Sequence, residues 1–352
     1  DDDDDDDDDD SGGGSSSTTT STTMAAGGGA AGASGGWKID EPDDHKMHKF
    51  DYDLVVIGGG SGGIACAKEA GKLGAKVLMY DFVTPSPPGS TWGVGGTCVN
   101  VGCIPKKLFH HAAIIHEKIE DGEAYGWDIK QVEHKWNKLA GNVKAHIRSI
   151  NSGYKRLDLP KHNVEYVNER AEFIDAHTIQ GYDGDGKETK KVTARRVVIA
   201  VGGRPTYPDI PGAKEYGITS DDVFMLKKAP GKTCVVGASY VALECAGFLK
   251  GLGFDTTVLV RSILLRGFDQ DMAEQVGAYM KRSGVNLVRD VVPSKVEKIG
   301  DDGGSDAGRL RVTYVYSTHH SDASKHGQEA GSDVFDTVLF AIGRTPTTLA
   351  LK

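Results

Sequence analysis

Three scarcities narrow the reading of this 352-residue chain before any motif is considered. No apolar run approaches the roughly 20 residues that a membrane-spanning helix needs, so no spanning segment is expected. Cysteine is scarce, with five in the whole chain, an odd number. Secreted disulfide frameworks use dense, even sets of cysteines in short chains. The sparse set here points to a reducing compartment, in which a disulfide would be catalytic rather than structural. Charge of one sign is missing from the body of the chain. The formal net charge is -9, but residues 1 to 10 are all Asp and the remainder is close to neutral. Nothing there suggests a nucleic acid or an anionic membrane as partner. Arginine is absent before Arg148, whereas acids are abundant by position 53. A mitochondrial presequence is Arg-rich and acid-poor, so a cytoplasmic protein is expected, with a mitochondrial one as the alternative.

The first 36 residues are low complexity: ten Asp, then Gly, Ser and Thr, then Gly-Ala repeats. Such a segment buries too little apolar surface to offset its ordering entropy and is expected to be disordered. Met24 is a plausible natural start.

Two later stretches share one pattern. Residues 52–57 form a short apolar run, read as a buried strand. It feeds Gly58-Gly-Gly60-Ser61-Gly62-Gly63, a helical pattern over 64–73, a stop at Gly74 and a second strand over 75–80. Strand, glycine turn, helix and strand is the context that a dinucleotide fingerprint requires, with a structural glycine turn that binds no nucleotide as the alternative. Glycines let the backbone approach a pyrophosphate, and the helix N-terminus supplies N–H donors. Asp81 follows Gly58 by 23 positions, where an acid holds ribose hydroxyls. The pattern returns with a strand over 232–236, the turn Gly237-Ala238-Ser239-Tyr240-Val241-Ala242, a helix over 241–252 and a strand over 256–260. Here Ser239 replaces the middle glycine, and Arg261, 24 positions after Gly237, stands in the acid's place. An arginine there accommodates a 2'-phosphate and selects NADP over NAD. Arg266 is the candidate second half of a clamp; two solvated surface arginines are the alternative.

Between the modules lies Gly95-Gly96-Thr97-Cys98-Val-Asn-Val-Gly-Cys103-Ile-Pro-Lys-Lys107. Five helical residues rise about 7.5 Å, whereas a disulfide tolerates Cα separations up to about 7 Å. If the two cysteines are bonded, the turn at Val101-Gly102 must distort, and Gly102 permits it. Pro105 fits only a first helical turn. Cys103 is then expected at a helix N-terminus, where the dipole and Lys106 favour thiolate. That describes a redox-active dithiol, with two buried structural cysteines as the alternative. Cys66, Cys234 and Cys245 read as small buried hydrophobes. His110 and His111 lack metal-ligand spacing, and no metal is expected.

The segment from Gly95 to Lys107 resembles the redox helix of the pyridine-nucleotide disulfide oxidoreductases. Within that family it is similar to the large, animal-type thioredoxin reductases. The lead-in Pro85-Ser-Pro-Pro-Gly-Ser-Thr-Trp-Gly93 and the runs 231–247 and 261–270 favour that subgroup. The resemblance extends from about Tyr52 to about Pro346. It implies an α/β, glutathione reductase-like fold with two Rossmann-like domains, FAD at the first module and NADPH at the second. It also implies that the NADPH domain is inserted in the FAD domain and that the interface domain is absent. Residues 197–205, containing Gly202, resemble the first crossing, although the usual Ala-Thr-Gly reads Ala200-Val201-Gly202. Residues 337–346, containing Gly343, resemble the second. The implied organisation is a disordered tail over 1–50, an FAD-binding domain with the redox disulfide over 51–206, an NADPH-binding domain over 207–340 and the truncated start of the returning FAD domain over 341–352.

The resemblance also implies roles. Hydride passes from NADPH to FAD, electrons reach the Cys98–Cys103 disulfide, and thioredoxin, the protein substrate, is reduced in the service of cell redox homeostasis. Cys103 matches the thiol beside the flavin ring and Cys98 the thiol that passes electrons onward. Lys106 matches the lysine near flavin N5, with Glu244 as its carboxylate partner; two ordinary helix-surface charges are the alternative. Tyr240 matches a gating tyrosine at the nicotinamide entrance, with core packing as its alternative. Gly96 and Thr97 join the cofactor-binding set. Glutathione reductase is the neighbouring alternative; Arg261 disfavours dihydrolipoamide dehydrogenase, which uses NAD. The family's full-length form is a homodimer, with a second flavin motif, an acid-base histidine from the partner subunit and a C-terminal redox pair further along the chain. This sequence stops at Lys352, before them. It therefore reads as a fragment or a truncated product, expected to bind FAD poorly and to turn over little. A nucleotide-binding fragment without turnover is the remaining alternative.

Overall fold

A computed structural model describes residues 50–130, 132–300 and 308–351. Nearly all of the expected N-terminal tail lies outside the described residues. The chain opens with β1 (Tyr52–Ile57), α1 (Ser61–Lys72) and β2 (Val77–Tyr80). Then come α2 (Gly96–Val101), α3 (Cys103–Ala124), α4 (Trp136–Gly153) and α5 (Leu159–Lys161). Four strands follow: β3 (Val164–Val167), β4 (Arg170–Phe173), β5 (Thr178–Tyr182) and β6 (Glu188–Ile199). After β7 (Gly203–Pro205), α6 (Ala213–Tyr216), β8 (Ile218–Thr219) and α7 (Ser220–Val223) comes the second module, β9 (Thr233–Val236), α8 (Tyr240–Gly251) and β10 (Thr256–Val260). The remainder is α9 (Gln270–Arg282), β11 (Asn286–Arg289), β12 (Val291–Gly300), β13 (Arg309–Tyr316), β14 (Glu329–Phe335), β15 (Thr337–Phe340) and β16 (Arg344–Pro346).

The first sheet has the order β3-β2-β1-β6-β5-β4. Its β3, β2, β1 and β6 are parallel, and β6, β5 and β4 antiparallel. The second, β11-β10-β9-β15-β8, is parallel throughout. Strands β2, β9, β10 and β15 are buried along their whole length, as expected of parallel strands covered on both faces. Strands β12, β13 and β14 form a separate antiparallel sheet. The fold is thus the mixed α/β arrangement with two parallel-stranded modules that the sequence implies. The chain leaves the first sheet through β7, builds the second sheet, and comes back through β16, which pairs antiparallel with β7. The largest apolar cluster runs from α2, α3 and α4 through Phe109, Trp136 and Phe224 into α8 and β10. One shared core therefore joins the helices after the first glycine turn to the second module.

Helix α1 begins three residues before the apolar pattern does. Gly62 and Gly63 have no side chain for a periodicity to register, yet their backbone closes the first turn, and Ile64 N–H donates to Gly60 O at 2.9 Å.

Candidate functional site

The first glycine turn floors a cleft of about 650 Å3 at the C-terminal ends of β1, β2 and β6. Gly58 has φ +114°, and a Cβ on it would lie 2.2 Å from the Ala200 carbonyl oxygen. A Cβ on Gly63 would lie 1.8 Å from the Gly58 carbonyl oxygen, so helix and turn touch there through bare backbone. Gly60 is the N-cap of α1, which has neither a side-chain cap nor an acid in its first turn. An uncapped helix start of this kind suits an anionic diphosphate. Gly58, Gly60, Ser61, Gly62, Asp81, Gly96, Thr97 and Gly202, all singled out from the sequence, line this one cleft.

Asp81, directly after β2, is 8% exposed, and its Oδ1 accepts from Gly59 N–H at 2.9 Å. Burial pushes its carboxyl above the ordinary range, while the Gly59 donor and the Lys155 charge pull it back. Gly59 was missed by sequence reasoning. A Cβ there would lie 2.7 Å from Asp81 Cγ, and the unbroken Gly58-Gly-Gly60 run was the available sign.

Cys98 and Cys103 are disulfide-bonded, with Cα atoms 4.6 Å apart. The distortion falls where it was expected: Gly102 ends α2 and precedes α3. A Cβ on it would lie 2.8 Å from the Thr97 carbonyl oxygen and 3.1 Å from Cys98 Cα, which explains the glycine. Asn100, fully buried, staples the turn. Its amide donates to the carbonyls of Gly93 at 3.0 Å and Gly96 at 2.8 Å, and Asn151 donates to its Oδ1 at 3.0 Å. Cys103 is the first residue of α3, with Pro105 in the first turn and no acid there. Cys98 is half-buried and lines the first cleft, while Cys103 is exposed. One turn on, Lys106 Nζ lies 2.5 Å from Glu244 Oε2 on α8, a partly exposed pair that bridges the two modules. Helices α3 and α8 are close enough that a Cβ on Gly251 would lie 2.6 Å from the Ala113 Cβ.

The second glycine turn borders a cleft of about 540 Å3. Gly237, Ala238, Ser239, Tyr240, Arg261 and Arg266 all line it. Helix α8 likewise has neither a side-chain cap nor a first-turn acid, because Ser239 Oγ donates instead to the Ala341 carbonyl at 3.2 Å. Arg261 and Arg266 are exposed on one rim, and Arg266 Nη2 donates to Ser262 Oγ at 2.8 Å. Tyr240 is 53% exposed, which excludes core packing as its role. Pro208 and Pro293 also line the cleft, and nothing in their local sequence indicated it. Gly63, Val241, Gly343, Cys103, Lys106 and Glu244 line neither of these two clefts.

Cys234 and Cys245 are buried as expected; burial raises both thiols, Cys245 to about 12. Cys66 departs from expectation. It is only half-buried, because the face of α1 that meets the sheet is Gly63, Ile64 and Ala67. Among the described residues, no group of three or more His, Cys, Asp or Glu could hold a metal ion, and no helix is long and apolar enough to cross a membrane.

This geometry agrees with the comparisons. The family model for pyridine nucleotide-disulphide oxidoreductases matches residues 52–352. The chain is 55% identical over 300 residues to a protein named thioredoxin reductase SEP1 from Emiliania huxleyi, covering 85% of this chain and 57% of that one. It is 53% identical over 298 residues to thioredoxin reductase 2, mitochondrial, from Drosophila melanogaster, covering 84% of this chain and 55% of that one. The chain thus spans little more than half the length of these curated relatives. Two dinucleotide-type glycine turns, a disulfide at a kinked helix start and a match over nearly all described residues lead to one conclusion: the chain belongs to the pyridine nucleotide-disulphide oxidoreductase family.

Proposed function

We propose that this chain carries the cofactor sites and the redox disulfide of an NADPH-dependent thioredoxin-disulfide reductase, with thioredoxin as its protein substrate. The observation that carries the reading is the Cys98–Cys103 disulfide at the α2–α3 kink, with Cys98 on the wall of the first cleft. Two relatives named thioredoxin reductase support thioredoxin over glutathione.

In this reading FAD occupies the first cleft, held by Gly58, Gly60, Ser61, Gly62, Gly96, Thr97 and Gly202, with Asp81 on the ribose side; Gly63, outside the cleft, lets α1 close onto the turn, and Gly343 stands at the returning strand. NADPH occupies the second, on Gly237, Ala238, Ser239 and Tyr240, with Val241 behind them in the first turn of α8 and Arg261 and Arg266 receiving the 2'-phosphate. The flavin, when bound, supplies two-electron transfer between a nicotinamide and a disulfide. The helix start at Cys103 favours its thiolate. The Cys98 thiolate attacks a sulfur of the acceptor disulfide, giving a mixed disulfide and one acceptor thiolate, which takes a proton. The Cys103 thiolate then attacks the Cys98 sulfur, re-forming Cys98–Cys103 and releasing the second acceptor thiol. Lys106, paired with Glu244, holds positive charge one turn from Cys103, where negative charge develops. Tyr240 screens the nicotinamide entrance. The β7–β16 pair supports an NADPH domain, 207–340, inserted between 51–206 and 341–352. A homodimer, and a cytoplasmic setting before a mitochondrial one, complete the reading.

The test is NADPH oxidation by the purified, FAD-supplied protein, with thioredoxin or glutathione disulfide as acceptor. Slow thioredoxin-dependent oxidation, as suits a chain that spans little more than half the length of its relatives, is expected, and it should be lost in both Cys98→Ser and Cys103→Ser. Glutathione disulfide as the better acceptor would make the protein a glutathione reductase. A disulfide that NADPH and FAD leave intact would remove the reading altogether.

A further inference from the structure

Two arginines from the paired strands β7 and β16 converge on one buried acid. Asp221, on α7, is 1% exposed. Arg204 of β7 places Nε 2.9 Å from its Oδ2, and Arg344 of β16 places Nη1 3.8 Å from its Oδ1. Strand pairing brings them together, since Thr345 lies opposite Arg204 and Arg344 opposite Pro205. Each arginine also reaches the segment that leads into the redox pair. Arg344 Nη2 donates to Thr97 Oγ1 at 3.1 Å and to the Gly203 carbonyl. Arg204 Nη1 donates to the Thr84 carbonyl at 2.8 Å, and its guanidinium lies 4.6 Å over the Trp92 ring. The adjacent Asp222 ties the same segment down by accepting from Ser86 Oγ.

A buried carboxylate is costly unless compensated. Burial pushes the Asp221 carboxyl upward, and the two guanidiniums pull it back. Neither of its oxygens has a well-aligned hydrogen bond among the described residues, so charge holds the three groups together. The arrangement leaves a guanidinium fixed on Thr97, whose next residue is Cys98. Cations near a cysteine favour its thiolate.

We propose that Asp221 is a positioning residue for the redox pair: by anchoring Arg344 it keeps a positive charge on Thr97 and biases Cys98–Cys103 toward the dithiol. This rests on reading the pair as a redox couple. The test is the dithiol–disulfide equilibrium of the full chain in glutathione buffers, followed by peptide-resolved thiol trapping of Cys98 and Cys103. Arg344→Gln is expected to shift the equilibrium toward disulfide by about tenfold, which is about 30 mV for a two-electron couple. Asp221→Asn should shift it in the same direction and add nothing to Arg344→Gln, as members of one network do. Thr97→Val should follow Arg344→Gln, and Thr97→Ser, which keeps the hydroxyl, should match the parent. If Asp221→Asn does not fold, the combination with Arg204→Gln, which removes one acid and one base, replaces it. An equilibrium unchanged in Thr97→Val and Arg344→Gln overturns the proposal whatever the Asp221 variants do. An Asp221→Asn protein that melts earlier but keeps the parent equilibrium overturns it too, because the acid would then serve only the fold. A parent whose pair never exchanges with glutathione removes the redox reading itself, a different outcome from a parent that exchanges and variants that match it.

Discussion

The two glycine turns are alike in backbone and differ in the helix and strand end that each one leads to. Gly58 has φ +114° and Gly237 φ +120°; a Cβ would lie 2.2 Å from the Ala200 carbonyl oxygen in the first and 2.4 Å from that of Ala341 in the second. The same demand acts on both. A strand must reverse into a helix beneath the outgoing end of a parallel neighbour, β6 or β15. The modules diverge at two places. Gly63 has no room for a Cβ, whereas Ala242, also five positions after the first glycine of its turn, is fully buried with one. After the second strand, Asp81 is buried and bonded to its own glycine turn, while Arg261 is exposed on the rim of its cleft. Both turns bring bare backbone and an uncapped helix start to a cleft, which suits a diphosphate, and the two clefts differ in the charge of the single residue after β2 or β10.

The largest effect expected is on the helix contact. Gly63→Ala should destabilise the ligand-free protein by at least about 3 kcal/mol, the upper end of overpacking costs, because the atom it meets is backbone that cannot move aside. Gly62→Ala, one residue earlier, adds a Cβ with nothing within 4 Å. It should match the parent or gain up to about 0.5–1 kcal/mol from better helix propensity. Urea unfolding of both variants checks the pair. A Gly63→Ala protein within about 0.5 kcal/mol of the parent would mean that the two modules do not differ in helix–turn packing.

The next effect concerns ligand choice. Arg261→Glu should weaken NADPH binding by about 1.5–3 kcal/mol, the worth of a charge-assisted hydrogen bond, and leave NADH nearly unaffected. Titrating both nucleotides against parent and variant gives the answer. Equal affinity for the two in the parent would leave Arg261 and Arg266 as mere surface charges.

These contrasts also show what the sequence carries. The glycine turns, the kink at Gly102 and the arrival of Arg261 and Arg266 at one cleft were legible because each depends on residues close in the chain. A turn, a helix start or a strand end is a local constraint that a short pattern records. The Asp221 cluster was not legible. Residues 204, 221 and 344 meet only because β7 pairs with β16 across the whole second module, and no periodicity encodes that pairing. Gly59 was overlooked for a related reason, since its neighbour Asp81 lies at the end of the next strand. The half-buried Cys66 shows a third limit: composition marks a helix as small and apolar but not which side meets the sheet.

Asp81 offers a smaller and opposite-signed effect. Burial raises its carboxyl, so the folded state favours the protonated acid. Its contribution to stability is full at low pH and is lost as pH rises through the raised folded value. Asp81→Asn keeps an acceptor for Gly59 N–H without the charge. At pH 7 the ligand-free variant should be more stable than the parent, because burial disfavours the charged carboxylate. The gain should vanish below about pH 4, where the parent acid is protonated too. FAD affinity should fall at the same time. Melting curves at both pH values and a flavin titration test this; a variant less stable than the parent at pH 7 would show that the carboxylate, despite its burial, is held favourably by Gly59 and Lys155.

The smallest effect on stability is expected where the two modules touch. The Lys106–Glu244 pair joins α3 to α8, yet its side chains are 26% and 41% exposed, so water screens it. The helices are held by the apolar cluster around Phe109, Ala113, Phe248 and Leu249 rather than by charge. Glu244→Gln should therefore cost no more than about 1 kcal/mol, and less in high salt than in low. If the pair instead serves the reaction, the variant should slow NADPH-driven reduction of Cys98–Cys103 while it melts almost like the parent. Unfolding at two salt concentrations, set beside thiol release under NADPH and FAD, separates the two effects. A loss above about 2 kcal/mol, independent of salt, would identify a structural cross-brace between the modules, since exposed pairs do not reach that value. The charge at Lys106 would then have to be sought in the fold rather than in the chemistry.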